Sequence, residues 1–336
     1  MQRIQHIDIL KGIGIFLVVL GHVTTNNDLH KFIYAFHMPL FFIISGLFLH
    51  DQTNFIKSKA KSLLIPYISF GLLTFLYWLL IESRFRELPQ GETFLSQFIN
   101  LFFPTGTQYY NIILWFLPCL FLACVAGNYL NCKITSKVKI QIIIIVLICS
   151  VGFLGNSYPY YIGQAAQALP YVLVGVLISK REGKHHTLII DGLLSKFKKT
   201  SILVAIAGIL VIYFSGVTCN MHSSSFTPCY PLSFIVGLLG FISIYILSYC
   251  LKKNTILSWL GINSLAIMLM HEPIKRIVIK LYSVFLNTPI EIIREESILN
   301  CFVIAILTIL ILIPFILITN RYCPILLGKF PHKIQS

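Results

Sequence analysis

Long apolar runs separated by short polar connections make up most of this chain. Runs of a length that can cross a bilayer fall at about 8–25, 32–50, 63–82, 111–130, 139–155, 165–180, 201–217, 231–251, 256–273 and 298–320, since a spanning helix needs roughly 20 mostly apolar residues. The pattern predicts an all-α polytopic membrane protein with about ten transmembrane helices, forming one integral-membrane domain over 1–336. One further apolar segment, 94–103, lies inside the polar connection 83–110 and reads as an interfacial or re-entrant piece. No internal repeat, low-complexity linker or soluble appendage interrupts the series.

Composition agrees, with 57% hydrophobic and 11% charged residues and a mean hydropathy of +0.82. A formal charge of +14 would suggest nucleic acid in a soluble chain, but its placement gives it another meaning. Of the Lys and Arg residues, 19 fall at the termini and alternate connections and 7 on the opposite side. By the positive-inside rule both termini are then expected in the cytoplasm, and nucleic acid is not an expected partner. The first apolar run holds Asp8 and Lys11 and lacks a small-residue cleavage site, so it is expected to stay as a span. Cys219 and Cys229 share the seventh-to-eighth connection, on the side where an oxidising compartment would allow a disulfide.

Candidate chemistry begins in the first span. On a helix, Lys11 and His22 lie three turns apart, within about 20° of one azimuth and roughly 16 Å from each other, with Asp8, Ile15 and Val18 near the same line. Ionisable groups in a membrane helix normally face the protein interior or a wet cavity, so this face is expected to wall a passage between the two ends. In the second span His37 precedes Pro39, whose missing donor frees a carbonyl one turn back, and its depth matches that of His22. Lys57, Lys59 and Lys61 place three ammonium groups at the cytoplasmic mouth, as a topology signal, an anionic-lipid contact or a phosphate seat. Trp115 opens the fourth span, and Tyr158, Tyr160 and Tyr161 lie in an external loop; such aromatics are belt residues or sugar-stacking surfaces. His271 ends the ninth span with Glu272 beside it, as an ion-paired or a catalytic imidazole. His185-His186 lack further ligands, and no metal is expected. Blander readings stay open here: Lys11 snorkelling beside Asp8, and His22 and His37 bonding between helices.

Three stretches together resemble the family 3 membrane acyltransferases, which O-acetylate bacterial surface polysaccharides: Asp8-Ile-Leu-Lys-Gly-Ile-Gly-Ile through Gly21-His22, Phe36-His-Met-Pro-Leu-Phe-Phe through Ser45-Gly46, and Gly261-Ile-Asn-Ser-Leu through His271-Glu-Pro. Trp115-Phe-Leu-Pro118 and the basic run before Pro66 occur in the same order. The resemblance implies an O-acetyltransferase of the bacterial cytoplasmic membrane, with acetyl-CoA as donor and a glycan or lipid-linked sugar as acceptor. It places the family's basic-residue-then-ten-then-histidine motif on Lys11 and His22. Arginine usually fills the first of these positions, so a bidentate fork is replaced here by a point charge. The implied roles are His22 and His37 as catalytic residues, Lys11, Lys57, Lys59 and Lys61 as donor-binding cations, and Asp8, Trp115 and His271 on the substrate side. The competing class is a transporter or flippase of a lipid-linked sugar or small anion, with buried charges lining its path.

Overall fold

The computed structural model describes residues 4–49, 54–104, 108–133, 139–151, 159–182, 185–188, 191–192, 194, 198–251 and 253–330. Its first helix, α1 (Gln5–Val23), is apolar on nearly all sides, and its buried residues run from Ile7 to Val23 around the whole circumference. A helix of that kind belongs in the middle of a bundle. Accordingly α1 packs on α2 (Asn27–Tyr34), α3 (His37–Leu47), α10 (Tyr230–Cys250), α11 (Thr255–Ile262), α12 (Ser264–Leu286) and α14 (Ile298–Tyr322). Its closest partner is α11. There two glycines let the backbones touch: a Cβ on Gly12 would stand 1.9 Å from the Leu257 carbonyl oxygen, and one on Gly261 1.7 Å from that of Asp8. Close glycine contact of this sort is how helices associate where lipid removes the hydrophobic drive.

Around this core lie α4 (Phe55–Leu80), α6 (Phe116–Lys133), α7 (Lys139–Val151), α8 (Ile162–Ile178) and α9 (Lys198–Ser215). Among the described residues, seven helices are long and apolar enough to cross a membrane: Gln5–Val23, Asn27–Leu47, Phe55–Arg84, Ile112–Lys133, Pro159–Ile178, Tyr230–Cys250 and Ile298–Tyr322. All seven match runs expected from the sequence. The other three expected spans take different forms. The described part of the fifth is a helix of 13 residues, and the seventh is the shorter apolar helix Thr200–Ser215. The ninth, 256–273, is not one span: it breaks at Asn263, and the second piece runs on to Leu286, carrying His271, Glu272, Lys275 and Arg276 through its middle. Their charge kept hydropathy from extending that helix.

The segment 94–103 forms α5 (Phe94–Phe102), which is inside out relative to a soluble helix. Gln97 and Asn100 are buried, whereas Phe94, Leu95, Phe98 and Ile99 are exposed. Gln97 accepts from the Tyr109 amide and donates to Glu92, so the polar edge is satisfied inward and the apolar edge suits lipid. The short helix α13 (Ile290–Glu295) precedes α14, and two hairpins are also present, Ser179–Glu182 with His185–Leu188 and Thr218–Asn220 with Ser225–Thr227. The disulfide that the sequence left open is not formed: Cys219 and Cys229 are free, Cys219 buried with its sulfur 3.8 Å from the Tyr171 hydroxyl and Cys229 exposed. Burial pushes the Cys219 thiol up to about 12. Tyr158 lies outside the described residues.

Candidate active site

At the C-terminal end of α1, His22 is half-buried and has two ring neighbours. The His271 ring lies 5.5 Å away between centroids, and Tyr34 6.4 Å away edge-on. Tyr34 also meets the His37 ring, at 4.7 Å, so it joins the two imidazoles that the sequence placed as neighbours. The histidine brought to His22 is His271, from a helix about 250 residues further on.

Both supporting histidines are fixed by a carbonyl four residues back, His37 by one on α2 and His271 by one on its own helix. His37 donates from Nδ1 to the Ile33 carbonyl at 2.9 Å, and His271 does the same to Ile267 at 2.9 Å. A carbonyl only accepts, so in the neutral ring the proton sits on Nδ1 and Nε2 keeps a lone pair. His271 Nε2 is buried without a hydrogen-bond partner. An unpaired buried acceptor costs about 1–3 kcal/mol, so it calls for an explanation such as a bound water, an ion or a catalytic role.

A buried ion network holds this end together. Lys275 Nζ donates to both Glu272 carboxylate oxygens at 2.9 Å and to the His22 backbone carbonyl at 3.1 Å. Arg276 reaches Glu272 at 3.1 Å and Glu82, after α4, at 2.7 and 3.0 Å. It also donates to the Tyr110 carbonyl, and Arg86 joins Glu82 to the Tyr109 carbonyl. The last carbonyls of a helix have no partner within it. Here Lys275 caps that of His22 and Arg294 that of Val23, at 2.7 Å, so the position of the His22 backbone is set by cations on two other helices.

Pro273 contributes through what it removes. It has no amide for the Leu269 carbonyl one turn earlier, and Asn111 Nδ2 takes that place at 3.2 Å. Asn111 is fully buried and its Oδ1 is unpartnered. It leads into Trp115, which is buried against His222 at 5.5 Å and Tyr161 at 6.4 Å. His222 rides on the Thr218–Asn220 hairpin, where Gln164 donates to its carbonyl at 3.0 Å, and burial holds its imidazole below the ordinary value.

At the other end of α1, Lys11 is half-buried with its ammonium 5.3 Å from the Phe48 ring centroid, and Asp8 is buried against α11. The face between Lys11 and His22 is not an open passage: Ile15 is 0% and Val18 2% exposed. Beside it, Met38, Phe41, Ser45 and Phe48 are each half-buried. Their spacing puts them on one side of α3, from the residue after His37 to the Lys11 contact. The three lysines of α4 do not form one cluster, because a two-residue step turns about 200° on a helix. Lys57 is exposed, Lys59 lies over Phe55 at 5.8 Å, and Lys61 over Phe330 at 5.0 Å.

Sequence reasoning named His22, His37, His271, Lys11, Asp8 and Trp115, but missed Tyr34, Asn111, Glu82 and the capping roles of Lys275 and Arg294. The i, i+3 and i+4 spacing of Glu272, Lys275 and Arg276 was the available sign of a shared helix face. Neither the curated proteins nor the solved structures include a match to this chain. The acyltransferase-domain model of family 3 matches residues 4–319, nearly the whole length. With that match over a helical membrane bundle carrying His22 at the end of its central helix, the chain belongs to the family 3 acyltransferases.

Proposed function

We propose that this protein is an O-acetyltransferase of the bacterial cytoplasmic membrane. It moves an acetyl group from acetyl-CoA, bound on the cytoplasmic side, to a hydroxyl of a cell-surface glycan or its lipid-linked precursor. The observation that carries this reading is the His22 environment. A half-buried imidazole sits on a carbonyl-capped helix end, beside a second imidazole with a free Nε2 lone pair.

In the direct scheme neutral His22 takes the proton of the acceptor hydroxyl as its oxygen attacks the thioester carbonyl. The carbon–sulfur bond then breaks, and the leaving thiolate recovers the proton from the imidazolium. In the covalent scheme a His22 nitrogen attacks first, releases the thiol and hands the acetyl group to the hydroxyl. His271 serves either scheme as an acceptor for the proton on His22, and His37 acts through Tyr34. Lys11 and Lys59 are the inner cations proposed to meet the donor phosphates. The half-buried face of α3 is the proposed course of the pantetheine arm, because the α1 face is packed at Ile15 and Val18. Trp115 and Asn111 are proposed to bound the acceptor side.

The test compares glycan O-acetylation in a deletion strain complemented with wild type or His22→Ala at matched expression. The variant is expected to give none, and wild-type levels would remove His22 from the mechanism. Purified protein in liposomes with labelled acetyl-CoA and glycan should transfer label. Movement of unmodified substrate instead would mark a transporter.

A further inference from the structure

Away from His22, a cavity of ≈ 1080 Å3 opens between the first turn of α4 and the sides of α6 and α8. Most of its wall is apolar, with Leu122, Val125 and Ala126 on α6 and Ala165 and Leu169 on α8. Polar groups interrupt that wall at Asn54, Lys57, Asn128 and Tyr129. Asn128 is 9% exposed and its Oδ1 is buried without a partner. Asn54 sits at the N-cap of α4 at φ 66°, and its side chain makes no capping bond. The cavity therefore joins an apolar slot to the positive end of a 26-residue helix and an exposed ammonium.

We propose that this groove binds one anionic glycerophospholipid, with the phosphate at the start of α4 and Lys57, a glycerol or headgroup hydroxyl donating to Asn128 Oδ1, and an acyl chain between α6 and α8. The wall decides against the thioester donor as occupant: a nucleotide and its pantetheine amides would be left largely unpaired on apolar carbon, whereas a hydrocarbon chain needs no partner. Charge complementarity then selects among lipids, because a zwitterionic headgroup cancels much of the attraction to one ammonium and a helix end. This gives Lys57 a role apart from Lys11 and Lys59, the cations proposed for the donor phosphates. The inference stands independently of the reaction at His22.

The test uses the full chain, purified in mild detergent and exposed to equal amounts of phosphatidylglycerol and phosphatidylcholine, with retained lipid counted by native mass spectrometry after detergent exchange. Wild type should keep phosphatidylglycerol preferentially. Lys57→Gln should cut that retention about fivefold, the worth of one basic residue near an anionic headgroup, without changing phosphatidylcholine. Ala126→Phe, which fills the slot, should lower retention of both, while an unchanged thermal midpoint shows that the variant is folded. Equal retention of the two lipids by wild type, or no effect of Lys57→Gln, overturns the proposal. So does displacement of phosphatidylglycerol by acetyl-CoA, which would make the groove a donor seat, or by inorganic phosphate, which would make it a simple anion site.

Discussion

Replacing Lys275 by Met removes the ammonium that ties Glu272 to the His22 carbonyl while keeping most of the side-chain volume. Lys275 and Glu272 are 6% and 4% exposed, and the ammonium makes three bonds of 2.9 to 3.1 Å. Breaking a buried ion pair by deleting one partner costs about 3–5 kcal/mol, because the other charge stays buried. Arg276 remains on Glu272 at 3.1 Å and offsets part of this, while the uncapped His22 carbonyl adds about 1 kcal/mol. The expected loss is therefore about 2–4 kcal/mol, read from denaturant midpoints in mild detergent. Glu272→Gln with Lys275→Met should recover much of it, since the stranded charge is gone, giving a coupling of at least about 1 kcal/mol in the double-mutant cycle. Transfer activity should stay low in both variants, because neither restores the bond that fixes His22. A loss below about 0.5 kcal/mol for Lys275→Met, as at an ordinary surface site, or no coupling in the cycle, would refute the network as the support of this end.

Three further outcomes follow from the packing. Gly261→Ala should destabilise by about 3 kcal/mol or more, since its Cβ meets the Asp8 carbonyl at 1.7 Å and overpacking against backbone has little room to relax; thermal midpoints check this, with Gly208→Ala, which meets a side-chain hydroxyl, as the milder comparison. Asn111→Ala strands the Leu269 carbonyl and should cost about 1–3 kcal/mol, with the loss seen in the same denaturation assay. His222 has a folded value lowered by burial, so the unfolded chain binds its proton first. The stability this histidine contributes is present above the ordinary histidine range and is lost as pH falls through that range toward the folded value. Amide protection in the Thr218–Asn220 hairpin, taken relative to the intrinsic exchange rate at each pH, should fall on acidification, and His222→Gln should flatten that dependence.

The sequence by itself determined the solvent in which this protein folds and most of its long helices. Lipid admits only segments that satisfy their own backbone and present apolar side chains, so the runs ending in Val23, Leu47, Cys250 and Tyr322 announced themselves. The 11-residue step from Lys11 to His22 likewise fixed one helix face without any knowledge of neighbours. Tertiary structure decided the rest. The helix Ser264–Leu286 was cut short in the sequence reading because hydropathy counts Glu272, Lys275 and Arg276 as charges, whereas the fold pairs them with Glu82 and with the carbonyl of His22. His271 became the neighbour of His22, and Tyr34 came between His22 and His37, through packing alone. The cost of burying a charge or an imidazole in a bilayer depends on what stands opposite it. Part of that partnership is local, as in the i, i+3 pair of Glu272 and Lys275, but Glu82 and the His22 carbonyl come from some 200 positions away, and no local pattern in the chain reports them.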